Sequence, residues 1–121
     1  MIIEHEEDIL TLFSDYLSLK GHHVVSKYLS ADRIMSDIEK DMPDVYLIDY
    51  RLPGNTNGIE VATEILNKFP SSSILFITAY EPLCQEIMKN PLFYNKKVDI
   101  LLKPVKLDQI ENYMLSLVNK K

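Results

Sequence analysis

Cysteine occurs once in this chain, at Cys84. A lone thiol excludes an intrachain disulfide, and no Cys/His spacing of the kind used by structural zinc sites is present. Long apolar runs are missing as well: none approaches the roughly 20 residues needed to cross a bilayer. The amino terminus, Met1-Ile2-Ile3-Glu4, has neither the basic segment nor the apolar stretch of a secretory signal. A soluble, cytoplasmic protein with no membrane partner is expected. Positive charge is scarce too. Thirteen Lys and Arg stand against 18 Asp and Glu, a formal charge of −5, with Glu4, Glu6, Glu7 and Asp8 clustered near one end. Nucleic-acid affinity rests mainly on neutralising phosphates, so DNA and RNA are not expected as direct partners. The basic Asn119-Lys120-Lys121 reads as a solvated tail. Internal repeats and low-complexity stretches are absent.

What is present fits one globular domain. The hydrophobic fraction is 46% and the charged fraction 26% over 121 residues, enough for a core but too short for a second unit of ordinary size. We expect a single domain over residues 1–121 with no output domain.

Apolar spacing organises the chain. Met1-Ile2-Ile3 is a short apolar run, followed at helical spacing by Ile9, Leu12, Phe13, Tyr16 and Leu17 until Gly21. Val24-Val25 with Tyr28 predicts a second strand. Ser30 then serves as N-cap to a helix through Ile34, Met35 and Ile38 that ends near Asp41. Val45-Tyr46-Leu47-Ile48 is continuously apolar and closed by Asp49, which suits a strand buried on both faces of a parallel sheet. The loop Pro53-Gly54-Asn55-Thr56-Asn57-Gly58 leads to a helix through Ile59, Ala62, Ile65 and Leu66, stopped by Pro70. A strand over Ile74–Thr78, a helix through Cys84, Ile87 and Met88, a strand over Asp99–Leu102 and a helix through Leu107, Ile110, Met114 and Leu117 complete five β–α pairs. Such alternation predicts an α/β fold, a doubly wound five-stranded parallel sheet covered by helices on both faces.

In open sheets of this kind the site lies beyond the carboxyl ends of the strands. Those ends deliver Glu4-His5-Glu6, Asp49, Thr78 and Lys103-Pro104. Gathered carboxylates repel unless a cation or proton intervenes, and hard oxygen ligands suit Mg²⁺. A lysine and a hydroxyl at the same edge can hold the oxygens of a transferred phosphoryl group, and an Asp carboxylate is a competent nucleophile for phosphorus. Taken singly, such residues more often cap helices or shape turns. Their joint occurrence at four strand ends is the signal.

Over essentially its whole length the chain resembles the response-regulator receiver family. The likeness rests on Asp49 followed by Leu52-Pro53-Gly54 and Asn57-Gly58-Ile59-Glu60, on Ile77-Thr78-Ala79, on Leu102-Lys103-Pro104, and on the acidic opening Glu4-His5-Glu6. The resemblance implies a (βα)5 fold with the flavodoxin-like strand order 2-1-3-4-5. It further implies that Asp49 takes a phosphoryl group from a histidine kinase or phosphotransfer protein. Thr78, Ala79 and Lys103 would contact the phosphoryl group, and Glu4, Asp49 and the backbone carbonyl of Arg51 would hold Mg²⁺ or Mn²⁺.

Several positions depart from the pattern. His5 stands where the family has the Asp that ligates the metal, and imidazole suits Zn, Ni or Cu better than Mg²⁺. His5 is either a ligand or a hydrogen-bond partner of Asp49 in the metal's place. Ile100 stands where the family has a switching aromatic residue, with Tyr80 a candidate substitute. Asn90-Pro91-Leu92-Phe93-Tyr94 lengthens the region after the helix through Cys84. There Leu92, Phe93 and Tyr94 either join Tyr80 and Ile100 in a partner face or fold back onto the core. His22-His23 read as turn and strand-start residues.

Two functions follow: a phosphorylatable switch, not an enzyme, or a receiver-like interaction module that works without phosphorylation because His5 disables the metal site. A flavin carrier on a related fold is disfavoured, because acids and not a Gly/Ser/Thr loop follow the first strand.

Overall fold

The computed structural model describes residues 1–24, 27–28, 38, 43–52 and 56–119. Five strands, β1 (Ile2–Ile3), β2 (Lys27–Tyr28), β3 (Val45–Ile48), β4 (Ser73–Thr78) and β5 (Lys97–Leu102), form one sheet in the order β2-β1-β3-β4-β5. Every pairing is parallel. The register sets Ile3 beside Ile48, Ile48 beside Phe76, and Thr78 beside Leu102, so the strands end along a common edge. The expected α/β architecture and strand order are therefore those observed.

Strand periodicity divides the core in two, because alternate residues point to opposite faces. Ile3, Tyr46, Ile48, Ile74 and Phe76 pack on one side, against Val61, Ala62, Ile65 and Leu66 of helix α2 (Gly58–Lys68) and Leu83 of helix α3 (Leu83–Lys89). Ile2, Leu47, Leu75 and Ile77 pack on the other side, against Leu10, Phe13 and Leu17 of α1 (Glu7–Leu19) and Ile110, Met114 and Leu117 of α4 (Leu107–Val118). Both faces of the sheet are thus covered, and all six residues of β4 are buried. Central position explains why β4 reads as an unbroken apolar run.

Helix boundaries follow local chemistry. Glu7 and Asp8 occupy the first turn of α1, where negative charge complements the helix dipole. Gly21, just past its end, has a positive φ of 89°, a conformation that costs glycine little. Asn57 caps α2 by accepting the Glu60 backbone N–H at 3.0 Å. Among the described residues, no helix is long and apolar enough to cross a membrane.

Some expectations shift. β5 begins at Lys97, two residues before the predicted start, and Met88, expected on the packed face of α3, is 75% exposed. Asn90–Tyr94 contains a short 3₁₀ helix, Pro91–Phe93, capped by the Asn90 side chain accepting the Leu92 N–H at 3.0 Å. Phe93 turns inward and meets Phe76 edge-on, with ring centroids 6.2 Å apart. It is therefore a core residue and leaves the candidate partner face. Leu92 and Ile100 are half-buried against the same cluster, while Tyr94 is exposed. The helix expected through Ile34 and Met35, its cap Ser30, Val25 and Pro53-Gly54-Asn55 lie outside the described residues. Ile38 is described, and it is fully buried in the core.

Candidate functional site

Asp49 is the first residue beyond β3, and its placement is fixed from two sides. Its backbone N–H donates to the Ile3 carbonyl at 2.9 Å, and the following residue, Tyr50, accepts the Gly58 N–H at 2.7 Å. The start of α2 lies so close that a Cβ on Gly58 would stand 2.5 Å from the Asp49 carbonyl oxygen and 2.9 Å from the Tyr50 Cα. Only glycine permits that approach. Glu4 is the first residue beyond β1, and both carboxylates are almost wholly buried.

Around them the strand ends converge as expected. His5 Nδ1 lies 2.6 Å from Asp49 Oδ2, and the His5 backbone N–H donates to Glu4 Oε2 at 3.1 Å. Lys103, just after β5, extends its ammonium to Glu4 Oε1, 3.7 Å from Asp49 Oδ2 and 3.7 Å from Glu6 Oε1. Its backbone N–H donates to the Thr78 carbonyl at 2.8 Å, which ties the ends of β4 and β5 together. The Thr78 hydroxyl is buried and accepts the Tyr80 N–H at 3.1 Å. Asp49, Thr78, Ala79, Lys103, Arg51 and His5 line a single open cavity of about 390 Å³.

Electrostatics follow from two buried acids beside one ammonium. Burial pushes the Glu4 carboxyl up to about 8; the neighbouring Asp49 adds to the shift and Lys103 works against it. Burial also opposes charge on Lys103, but the Glu4 hydrogen bond and the Asp49, Glu4 and Glu6 carboxylates outweigh it and hold the ammonium above the ordinary lysine range.

The donor set fits a divalent cation. Glu4, His5 and Asp49 each offer one ligand atom, all within 4.8 Å of one another. Two of the three donors are carboxylate oxygens and the third is an imidazole nitrogen.

Sequence reasoning did not anticipate the aromatic stack in the wall of the cavity. Tyr80 stacks on Tyr50 with ring centroids 4.7 Å apart and planes 8° from parallel, and the Arg51 guanidinium lies 5.2 Å over the Tyr80 ring. The Tyr80 hydroxyl donates to Glu86 Oε1 of α3 at 3.4 Å. The only available signal was topological: β3 and β4 run side by side with Ile48 opposite Phe76, so the residues following them emerge together. His22 is remote from this edge and pairs with Glu111 at 2.8 Å.

Comparison with known proteins agrees with this geometry. A family model described as the response regulator receiver domain matches residues 1–115. A response regulatory protein of Vibrio cholerae, itself uncharacterized, is 37% identical over 68 residues, which is 56% of this chain; the chain spans 24% of that relative's length. The crystal structure of the receiver domain of NtrX from Brucella abortus superposes with a TM-score of 0.83 at 20% identity, covering 99% of this chain and 98% of that one. The BeF3-activated receiver domain of RstA from Klebsiella pneumoniae gives 0.81 at 20% identity, covering 98% and 97%. A CheY-like receiver domain protein from Methanospirillum hungatei gives 0.78 at 23%, covering 96% and 90%. At such identities the structural likeness shows the fold, while the family model spans nearly the whole chain. The chain belongs to the response regulator receiver domains, signalling modules of two-component systems and not enzymes.

Proposed function

We propose that this chain acts as the receiver of a response regulator, in which Asp49 accepts a phosphoryl group from a histidine kinase or phosphotransfer protein. The supporting observation is that a nearly buried carboxylate, a lysine ammonium 3.7 Å from it and a buried threonine hydroxyl line one open cavity at the carboxyl edge of the sheet. An Asp49 carboxylate oxygen attacks phosphorus, the P–O bond forms as the P–N bond of the donor phosphohistidine breaks, and the departing imidazole keeps its electron pair. Lys103 pairs with one phosphoryl oxygen, which requires its ammonium to be shared between Glu4 and the new group. Thr78 donates its hydroxyl to another oxygen, and the Ala79 backbone contributes beside it. A divalent ion such as Mg²⁺ or Mn²⁺ would be held by Glu4, Asp49, the Arg51 carbonyl and His5, and would neutralise the charge gathered there.

Redirection of Thr78 is the switch. Its hydroxyl accepts the Tyr80 N–H before phosphorylation. Drawing that oxygen toward the phosphoryl group strains the bond and shifts the Tyr80 segment, which is tied to α3 through Glu86. The readout is a protein-binding face that includes Tyr80, Leu92, Tyr94 and Ile100. Incubation with a small phosphodonor, with Mg²⁺, with Mn²⁺ or without metal, followed by intact-mass measurement, tests the reading. One metal-dependent phosphoryl adduct is expected, absent in Asp49→Asn. No adduct with any metal or with kinase-derived phosphohistidine would overturn it.

A second reading draws on the 2.6 Å contact between His5 Nδ1 and Asp49 Oδ2. An imidazole seated on the acceptor carboxylate suits an interaction module that works without phosphorylation. Labelling that appears only in His5→Asp would favour this alternative.

A further inference from the structure

The cavity contains a choice of metal as well as a place for one, and its consequence rests on the receiver reading above. We propose that the site selects a borderline first-row dication, of the cobalt, nickel and zinc kind, over Mg²⁺, with His5 Nδ1, Asp49 Oδ2 and Glu4 Oε2 as the protein donors.

The geometry supports a shared ion. His5 Nδ1 stands 2.6 Å from Asp49 Oδ2 and 3.6 Å from Glu4 Oε2. Donors held about 2.0–2.2 Å from one ion stand roughly 3–3.5 Å apart, so the two His5 separations bracket what a common ion requires, and all three donor atoms lie within 4.8 Å of one another. The two oxygens of Glu4 are already divided, with Oε1 on the Lys103 ammonium and Oε2 turned toward His5. The other ring nitrogen, Nε2, lies 3.8 Å from Glu6 Oε1. That separation is longer than a hydrogen bond, so Glu6 serves to add negative charge beside the ring, which favours a cation there. The buried acids supply charge, and the 37% exposed His5 ring marks a route of entry from solvent.

Chemistry then decides the ion. Mg²⁺ prefers an all-oxygen octahedral shell and retains its waters, so exchanging an oxygen donor for nitrogen weakens it. The cobalt-to-zinc end of the series gains from the same exchange and tolerates three protein donors with positions open to solvent or a phosphoryl oxygen.

Binding itself is the test. The full chain is titrated with Mg²⁺, Co²⁺ and Zn²⁺, read by Co²⁺ visible absorption and by the ion-induced rise in melting temperature, in the native protein, His5→Asp, His5→Asn and a His22→Ala/His23→Ala control. We expect Zn²⁺ to bind the native protein at least about a hundredfold more tightly than Mg²⁺. His5→Asp should weaken Zn²⁺ at least about tenfold and strengthen Mg²⁺, His5→Asn should weaken both, and the control should match the native protein. Equal Zn²⁺ affinity in native and His5→Asp protein would overturn the proposal, as would loss of binding in the His22/His23 control alone. Phosphodonor labelling of His5→Asp with Mg²⁺ separates the two readings. Labelling there without a native preference for Zn²⁺ ends the metal inference and leaves the receiver intact. A native preference for Zn²⁺ supports the inference even where neither protein is labelled.

Discussion

Two carboxylates, Glu4 and Asp49, lie nearly out of solvent beside one ammonium, and this imbalance governs how the protein responds to pH. Glu4 has its folded value raised to about 8 from an ordinary 4.5, so the folded state holds that proton more tightly than the unfolded chain does. A raised value contributes stability that is complete below the unfolded pKa and lost as pH rises through the folded one. Without divalent ions, the native protein should therefore lose stability relative to Glu4→Gln between about pH 5 and pH 8. Denaturant unfolding of both proteins across that range checks it; parallel profiles would show that Glu4 does not carry the effect. Tyr80 and Arg51 set a second property at this scale. Their stacked side chains wall the cavity beside Asp49 and narrow the approach of water to a phosphoryl group there. Tyr80→Ser and Arg51→Asn should each shorten the lifetime of the phosphorylated form several-fold, measured as decay of the adduct after donor removal. Unchanged decay would contradict a shielding role. The residues at the strand ends were legible in the sequence, because each follows an apolar run that stops at a polar group. The stack of Tyr50 on Tyr80 was not, because it joins side chains 30 positions apart that only the parallel register of β3 and β4 brings together.

Among the elements, α2 matters most to the site, because its first residue touches the backbone that carries Asp49. Gly58→Ala would drive a methyl group into the Asp49 carbonyl and the Tyr50 Cα, neither of which is the free end of a flexible side chain. A loss of about 1–3 kcal/mol is expected, with phosphoryl acceptance impaired even in the folded fraction. Stability and labelling both at native levels would show that the contact is readily relieved. The 3₁₀ segment gives a contrasting pair of changes. Phe93→Ala should cost about 3–5 kcal/mol, since the ring fills core space against Phe76, whereas Tyr94→Ala should remain within about 0.5 kcal/mol. Equal small losses would place Phe93 outside the core. Apolar spacing located α1, α2 and α4 well, since each presents a sustained stripe to one face of the sheet. It read α3 less well. That helix has only seven residues and one fully buried side chain, Leu83, so spacing alone could not tell that Met88 points outward. Nor could the run Leu92-Phe93-Tyr94 declare which of its three side chains turns inward, because one helical turn is too short for a period to show.

For the whole molecule, the order β2-β1-β3-β4-β5 brings the ends of β1, β3, β4 and β5 to one edge, and every polar group of the proposed chemistry sits there. Alternating apolar runs sufficed to reveal the parallel, doubly covered sheet, because its strands have little room for charge until they end, whereas the strand order followed from the family resemblance. Distances within the edge were another matter. That Glu4 divides its two oxygens between Lys103 and His5 depends on side chains separated by up to 99 positions, and no local pattern encodes it. The central claim is that this edge exists to place a phosphoryl group on Asp49. Its most direct test is chemical mapping: the phosphodonor-treated protein is reduced with borohydride, which converts an aspartyl phosphate to homoserine, and its peptides are sequenced by mass spectrometry. Homoserine at position 49 and at no other acidic residue is the predicted result; a phosphoryl adduct that maps to another residue would contradict it.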